Sequence, residues 1–148
     1  MNFLRRCFIL LVCAIFLNSC FFYAAYGVYR TIQDINGALS MVSNAMTDIR
    51  TVLKEGKDIK RAAKDGKLIS SLADRIPTLI QSQVERAARS KINALSSDLK
   101  LASLALTRCA EAENLVGANR SYNDMADTVN RFSGLMTDLS QTTTGIGK

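Results

Sequence analysis

The chain contains no histidine and no tryptophan, one proline (Pro77), and only 7% aromatic residues. Without histidine it lacks the commonest general base and metal ligand, and a Ser–His or Cys–His pair cannot form within one chain. The scarcity of aromatics argues against a sandwich or barrel, in which aromatic and β-branched residues prevail. No phosphate-cradling loop is present, since the closing Gly-Ile-Gly-Lys lacks both the spacing and the following Ser or Thr. The acidic residues are scattered. Glu111 and Glu113 fall on different helix faces, and Asp138 returns to the face of Asp124 and Asp127 only about 16 Å further along the axis. An enzyme is therefore not expected, and neither a cofactor nor a metal site.

Charge of one sign is also in short supply. The formal net charge is +6, and setting aside Arg5 and Arg6 leaves 17 basic against 13 acidic side chains. That excess keeps a protein in solution but does not imply nucleic acid, and no nucleic-acid motif accompanies it. Of the four cysteines, Cys7, Cys13 and Cys20 lie in the opening stretch, so no disulfide framework is expected. Cys109 is the one left over. It reads either as a buried small hydrophobe or as a candidate for an intermolecular disulfide in an oxidising compartment.

One long apolar run stands at the front. After Arg5 and Arg6, no charge appears from Cys7 to Tyr29, a stretch of 23 residues. At 1.5 Å per residue that length crosses a hydrocarbon core of about 30 Å. The two arginines favour an N-inside orientation, and Tyr23, Tyr26 and Tyr29 before Arg30 suit the outer headgroup zone. The same arginines followed by the short apolar core Cys7 to Phe16 also fit a secretory signal. Within it, Leu17-Asn18-Ser19-Cys20 resembles the lipobox of bacterial lipoproteins. That resemblance implies lipidation at Cys20, which would become the first mature residue. An uncleaved span, a lipidated Cys20 and plain signal removal all stay open. The first two attach the chain to a membrane and place the rest beyond the cytoplasm, in the periplasm or at the cell surface.

From Thr31 onward the apolar residues recur at spacings of three and four. Ile32, Ile35, Leu39, Val42, Met46, Ile49 and Leu53 form a heptad seam. The pattern degrades at "KEGKDIKRAAKDGK", where Lys-acid-Gly-Lys occurs twice, around Gly56 and Gly66. A turn is expected near Gly66, because Asp-Gly is the stronger stop signal. A second helix is expected from about Ser71–Asp74, with Asp74 as its cap and Pro77 in its first turn. Its stripe includes Leu95, Leu99 and Leu106, and it should end by Gly117. A third helix starts near Ser121 and carries Val129 and Phe132 on its apolar face.

The sequence thus predicts an all-α protein: a membrane-anchored antiparallel three-helix bundle, or a long helical hairpin, with coiled-coil-like packing. Residues 1–30 would be the anchor, 31–140 an extracytoplasmic bundle, and 141–148 a flexible tail. The seam residues are expected to join copies of the chain or another helical envelope protein. Lys57, Lys60, Arg61 and Lys64 fit one helix face and form a candidate patch for an anionic partner. The layout suits a non-enzymatic structural or interaction protein of a bacterial cell envelope, in a secretion, conjugation or phage-related assembly. The alternative is a helical binding module for a lipid or other apolar ligand, with a groove lined by Leu99, Leu104, Leu106 and Val116.

Overall fold

The computed structural model describes the backbone of residues 2–145 and the side chains of residues 23 and 25–142. Four α-helices account for most of it: α1 (Asn2–Glu55), α2 (Arg61–Arg75), α3 (Arg86–Glu111) and α4 (Leu115–Gly145). A 3₁₀ turn, Ile76–Leu79, extends α2 toward the loop that leads to α3. Each helix packs on its two neighbours in cyclic order, α1 on α2, α2 on α3, α3 on α4 and α4 on α1. The connections are short, so consecutive helices run antiparallel in an up-down-up-down bundle. The number of helices differs from the three expected.

The difference arises at the two Lys-acid-Gly-Lys motifs. Gly56 adopts a left-handed conformation (φ 63°), and its N–H donates to the Val52 carbonyl at 3.1 Å. This is the usual device for ending a helix, since glycine enters that region without steric cost. Space there is open, with only Leu115 near a would-be Cβ. Gly66 has the same local sequence but sits buried in the middle of α2. A Cβ there would meet Thr107 Oγ1 at 2.5 Å and the Ser103 carbonyl at 3.2 Å. Gly66 therefore serves close approach of two helices and not a stop. Asp74, expected to open a helix, lies in the last turn of α2 and pairs with Lys100 at 2.8 Å. Pro77 falls in the first positions of the 3₁₀ turn, where its missing N–H costs little.

The last break is also displaced. The expected start at Ser121 lies well inside α4, and Ser121 is buried. The cap is Asn114, whose side-chain Oδ1 accepts the Gly117 N–H at 3.0 Å. Gly117 is thus in the first turn of α4 and not a break. At the other end α4 continues to Gly145.

The interior divides into two clusters along the bundle axis. The distal one gathers Val42, Ile49, Ile69, Leu99, Leu106 and Met125 with many alanines. The basal one gathers Ile35, Ile76, Ile92, Leu95, Phe132 and Met136. Small polar residues share the buried faces of α3: Ser96 donates to the Ile92 carbonyl, Ser103 to Lys100 and Thr107 to Ser103. Each hydroxyl is satisfied by its own helix, so these residues pack as small groups without a desolvated, unpaired O–H. One hydroxyl also ties the base together. Thr31 is fully buried; its Oγ1 donates to the Gly27 carbonyl and accepts the Gln81 N–H at 2.9 Å. Arg89 reinforces the same loop by donating to the carbonyls of Gln81, Ser82 and Val84.

Candidate functional site

The distal tip of the bundle brings together most of the charged residues singled out from sequence. Two turns meet there, Gly56–Lys60 between α1 and α2 and Ala112–Asn114 between α3 and α4. Asp58 and Glu113 each hold a left-handed backbone (φ 50° and 55°), an uncommon conformation for residues with a side chain. Lys60 Nζ bridges the turns by bonding Glu113 Oε1 at 2.6 Å. Just below, Lys67 pairs with Glu111 at 2.7 Å. The tip lies about 38 Å from Arg30, taking 1.5 Å for each residue along α1.

The candidate anionic-partner patch needs correction here. Lys57, Lys60, Arg61 and Lys64 do not share one helix face, because the chain leaves the helix between Glu55 and Arg61. All four side chains are exposed. Lys57 stands in the turn and Lys60 is committed to Glu113. Arg61 and Lys64 face a hollow between α1 and α2 that also contains Asp48, Glu55 and Asp65. The positive charges are thus interleaved with carboxylates, which weakens any single-sign field.

Two carboxylates at this end depart from ordinary behaviour. Glu113 is held below the usual carboxylate range by its hydrogen bond to Lys60 and by the ammonium charge, and Lys60 is raised in turn. The pair's contribution is fully present above the unfolded carboxylate pKa and fades as pH falls through the folded value. At the alkaline end it is lost as pH rises through the raised lysine pKa. Replacing Lys60 with methionine is expected to move the Glu113 titration midpoint upward to the ordinary range, as read by carboxyl NMR. Asp65 shifts the other way. Partial burial pushes it up first and the nearby Asp48 charge second, while Lys64 and Arg61 oppose the shift. Its effect therefore favours the fold as pH falls and is lost as pH rises through the raised pKa.

The seam residues lie elsewhere. Ile32, Ile35, Leu39, Val42, Met46, Ile49 and Leu53 on α1 are all buried in the chain's own core, as are Leu95, Leu99, Leu106 and Phe132; Val129 is half-buried against them. They meet helices of the same chain. The residues of the alternative groove are dispersed: Leu99 and Leu106 are fully buried, whereas Val116 is 82% exposed at the rim of the tip. Cys109 is free and half-buried, and its Sγ lies 2.7 Å from where a Cβ on Gly117 would be. The lipidation candidate Cys20 has a side chain outside the described residues. So does most of the apolar run that precedes Tyr23; among the described residues no helix is long and apolar enough to cross a membrane. Among them, too, no group of three or more metal-ligating side chains converges.

Sequence reasoning missed Glu113, Asn114 and Val116 as members of the tip. The signal was present, because Asn114 stands directly before the apolar pair Leu115-Val116, which is a helix-start pattern. No family model matches the chain, and no curated protein or solved structure compared with it does so either.

Proposed function

We propose that this chain is a non-enzymatic, membrane-anchored helical protein of a bacterial cell envelope, with its bulk outside the cytoplasm. It acts as a stiff rod, held at its base and meeting another envelope protein or a second copy at its outer surface. A secretion, conjugation or phage-related assembly would use such a part. The observation that supports this reading is the continuity of α1. The helix that carries the uncharged apolar run also supplies one side of the bundle, with no linker between the two. A rigid mount follows, because a continuous helix transmits orientation where a Gly- or Ser-rich tether would lose it.

The heptad seam is spent inside the bundle, so partner contacts fall to the outer surface. Val116, with 82% of its surface exposed beside the clamped turns, is the apolar group best placed at the far end. An exposed apolar side chain rimmed by charges suits a small contact better than a large obligate one.

Intact mass spectrometry of the membrane fraction tests the anchoring. A mass beginning at Met1, or one beginning at Cys20 with added acyl chains, is the expected result. A lipid-free chain that begins beyond Cys20 would contradict it.

A further inference from the structure

At the base of the bundle, α1 and the loop before α3 enclose a hollow of about 210 Å³. Tyr23, Tyr26, Arg30 and Asp34 line it from α1, and Gln81 and Gln83 close the other side. Gly27 allows the closure, because Gln83 lies so near that a Cβ at Gly27 would sit 2.5 Å from its Oε1. That oxygen is buried and has no hydrogen-bond partner. A buried acceptor left unpaired is costly, by about 1–3 kcal/mol, and marks a place where a donor is missing. Arg30 and Asp34 touch only at 3.5 Å; Arg30 is exposed and also bonds the Tyr26 side chain, and Asp34 is half-buried. Tyr23 and Tyr26 are 69% and 59% exposed, a large amount for aromatic rings in a chain that has few.

We propose that this hollow holds the headgroup of one phosphatidylethanolamine molecule of the membrane's outer leaflet. The inference rests on the anchored reading above and deepens it. Along α1 the lining groups occur in the order in which such a lipid would meet them on leaving the bilayer. Tyr23 and Tyr26 come first, with apolar rings for the glycerol region and hydroxyls for ester oxygens. Arg30 follows one turn above Tyr26 and matches a phosphate, which a guanidinium binds in bidentate fashion. Asp34 comes about one further turn of 5.4 Å outward, where the ammonium would lie. The Asp34 carboxylate selects ethanolamine over choline, because a primary ammonium carries N–H donors for it. A quaternary ammonium carries none. Tyr23 to Tyr29 spans about 9 Å of helix rise, close to the headgroup depth on one side of a bilayer.

The test uses the full chain, reconstituted in nanodiscs of phosphatidylcholine with and without phosphatidylethanolamine. Lipid carried into detergent is then counted by native mass spectrometry. One retained phosphatidylethanolamine is expected, with retention falling at least about tenfold in Arg30→Gln and in Asp34→Asn. Arg30 is exposed and Asp34 half-buried at the surface, and circular dichroism should show each variant folded. Tyr23→Leu, remote from the core, should weaken retention to a lesser degree. Equal retention of the two lipids by the unaltered chain would overturn the proposal, as would unchanged retention in both charge variants. Displacement by inorganic phosphate alone as effectively as by the lipid would replace it with a simple anion site. A chain that floats with vesicles but shows no lipid preference refutes the headgroup site and leaves the anchor standing. A chain that floats with none refutes both.

Discussion

Replacing Phe132 with alanine is expected to destabilise the bundle by about 3–5 kcal/mol, the range for truncating a fully buried aromatic. Of the six phenylalanines, five lie in the first 22 residues, so Phe132 is the only one the bundle has. It is 0% exposed and sits in the basal cluster with Ile35, Ile92 and Met136, which come from α1, α3 and α4. Its ring is the piece common to three helices. Ile35 and Ile92 are branched aliphatics held by helical backbone, and they cannot collapse far into the space left behind. Domains of this size have total stabilities of only about 5–15 kcal/mol, so one such cavity takes a large share. Thermal unfolding of the full chain in detergent, followed by circular dichroism, should show the melting temperature lowered by roughly 10–20 °C. Phe132→Leu, which refills most of the volume, should recover more than half of that loss.

The second large effect concerns glycines, and here the sign reverses between sites. Gly66→Ala is expected to destabilise even though alanine is the better helix former by about 1 kcal/mol. The added methyl meets Thr107 Oγ1 at 2.5 Å and the Ser103 carbonyl at 3.2 Å. Thr107 is β-branched and bonded to the Ser103 carbonyl at 2.9 Å, so it has little freedom to turn away. The carbonyl belongs to α3 and moves only if the helices part. Overpacking of this kind costs about 1–3 kcal/mol, and Gly66→Leu should exceed that range because separation of α2 from α3 is then unavoidable. Gly134→Ala supplies the opposite case. It lies in the interior of α4 with nothing within 4 Å of its would-be Cβ. There the propensity gain stands alone, and the variant should be more stable by up to about 1 kcal/mol. Urea titrations of the three variants, compared at equal m-value, check both signs.

The same glycines show how far sequence reasoning carries. Periodicity identified the buried face of α1 from Ile32 to Leu53 correctly, because a stripe at spacings of three and four must face another helix whatever that helix is. It identified Leu95, Leu99, Leu106 and Phe132 for the same reason. What periodicity does not state is whether the facing helix belongs to the same chain. The answer depended on α2, a helix of only 15 residues whose face is largely Ala, Gly and Ser. Such a face has weak hydrophobic contrast, so α2 reads as a degraded continuation of α1. Gly56 and Gly66 share the pattern Lys-acid-Gly-Lys, and local sequence cannot separate a left-handed stop from a close contact made with a helix some forty residues away. The tip was legible in part. Its lysines were visible as a run, whereas their partners Glu111 and Glu113 come from another turn and follow only from the fold.

The charge pairs also limit what the tip does. Lys60 and Lys67 at the tip, and Lys100 against the last turn of α2, each hold a carboxylate from a neighbouring element. All are exposed, so each contributes little to stability and is screened by salt. The Lys60 pair joins the two turns of the tip directly and the Lys67 pair joins α2 to α3 just below them.

The most direct measurement places the two ends of the bundle relative to a bilayer. A fluorophore is attached at Gln81, in the basal loop, or at Val116, at the tip, in the full chain reconstituted into vesicles that carry a lipid-borne quencher. Strong quenching at Gln81 and essentially none at Val116 is the predicted result, since the two ends stand about 38 Å apart along α1. Equal quenching at both positions, or quenching at neither, would contradict a rod mounted on the membrane by its base.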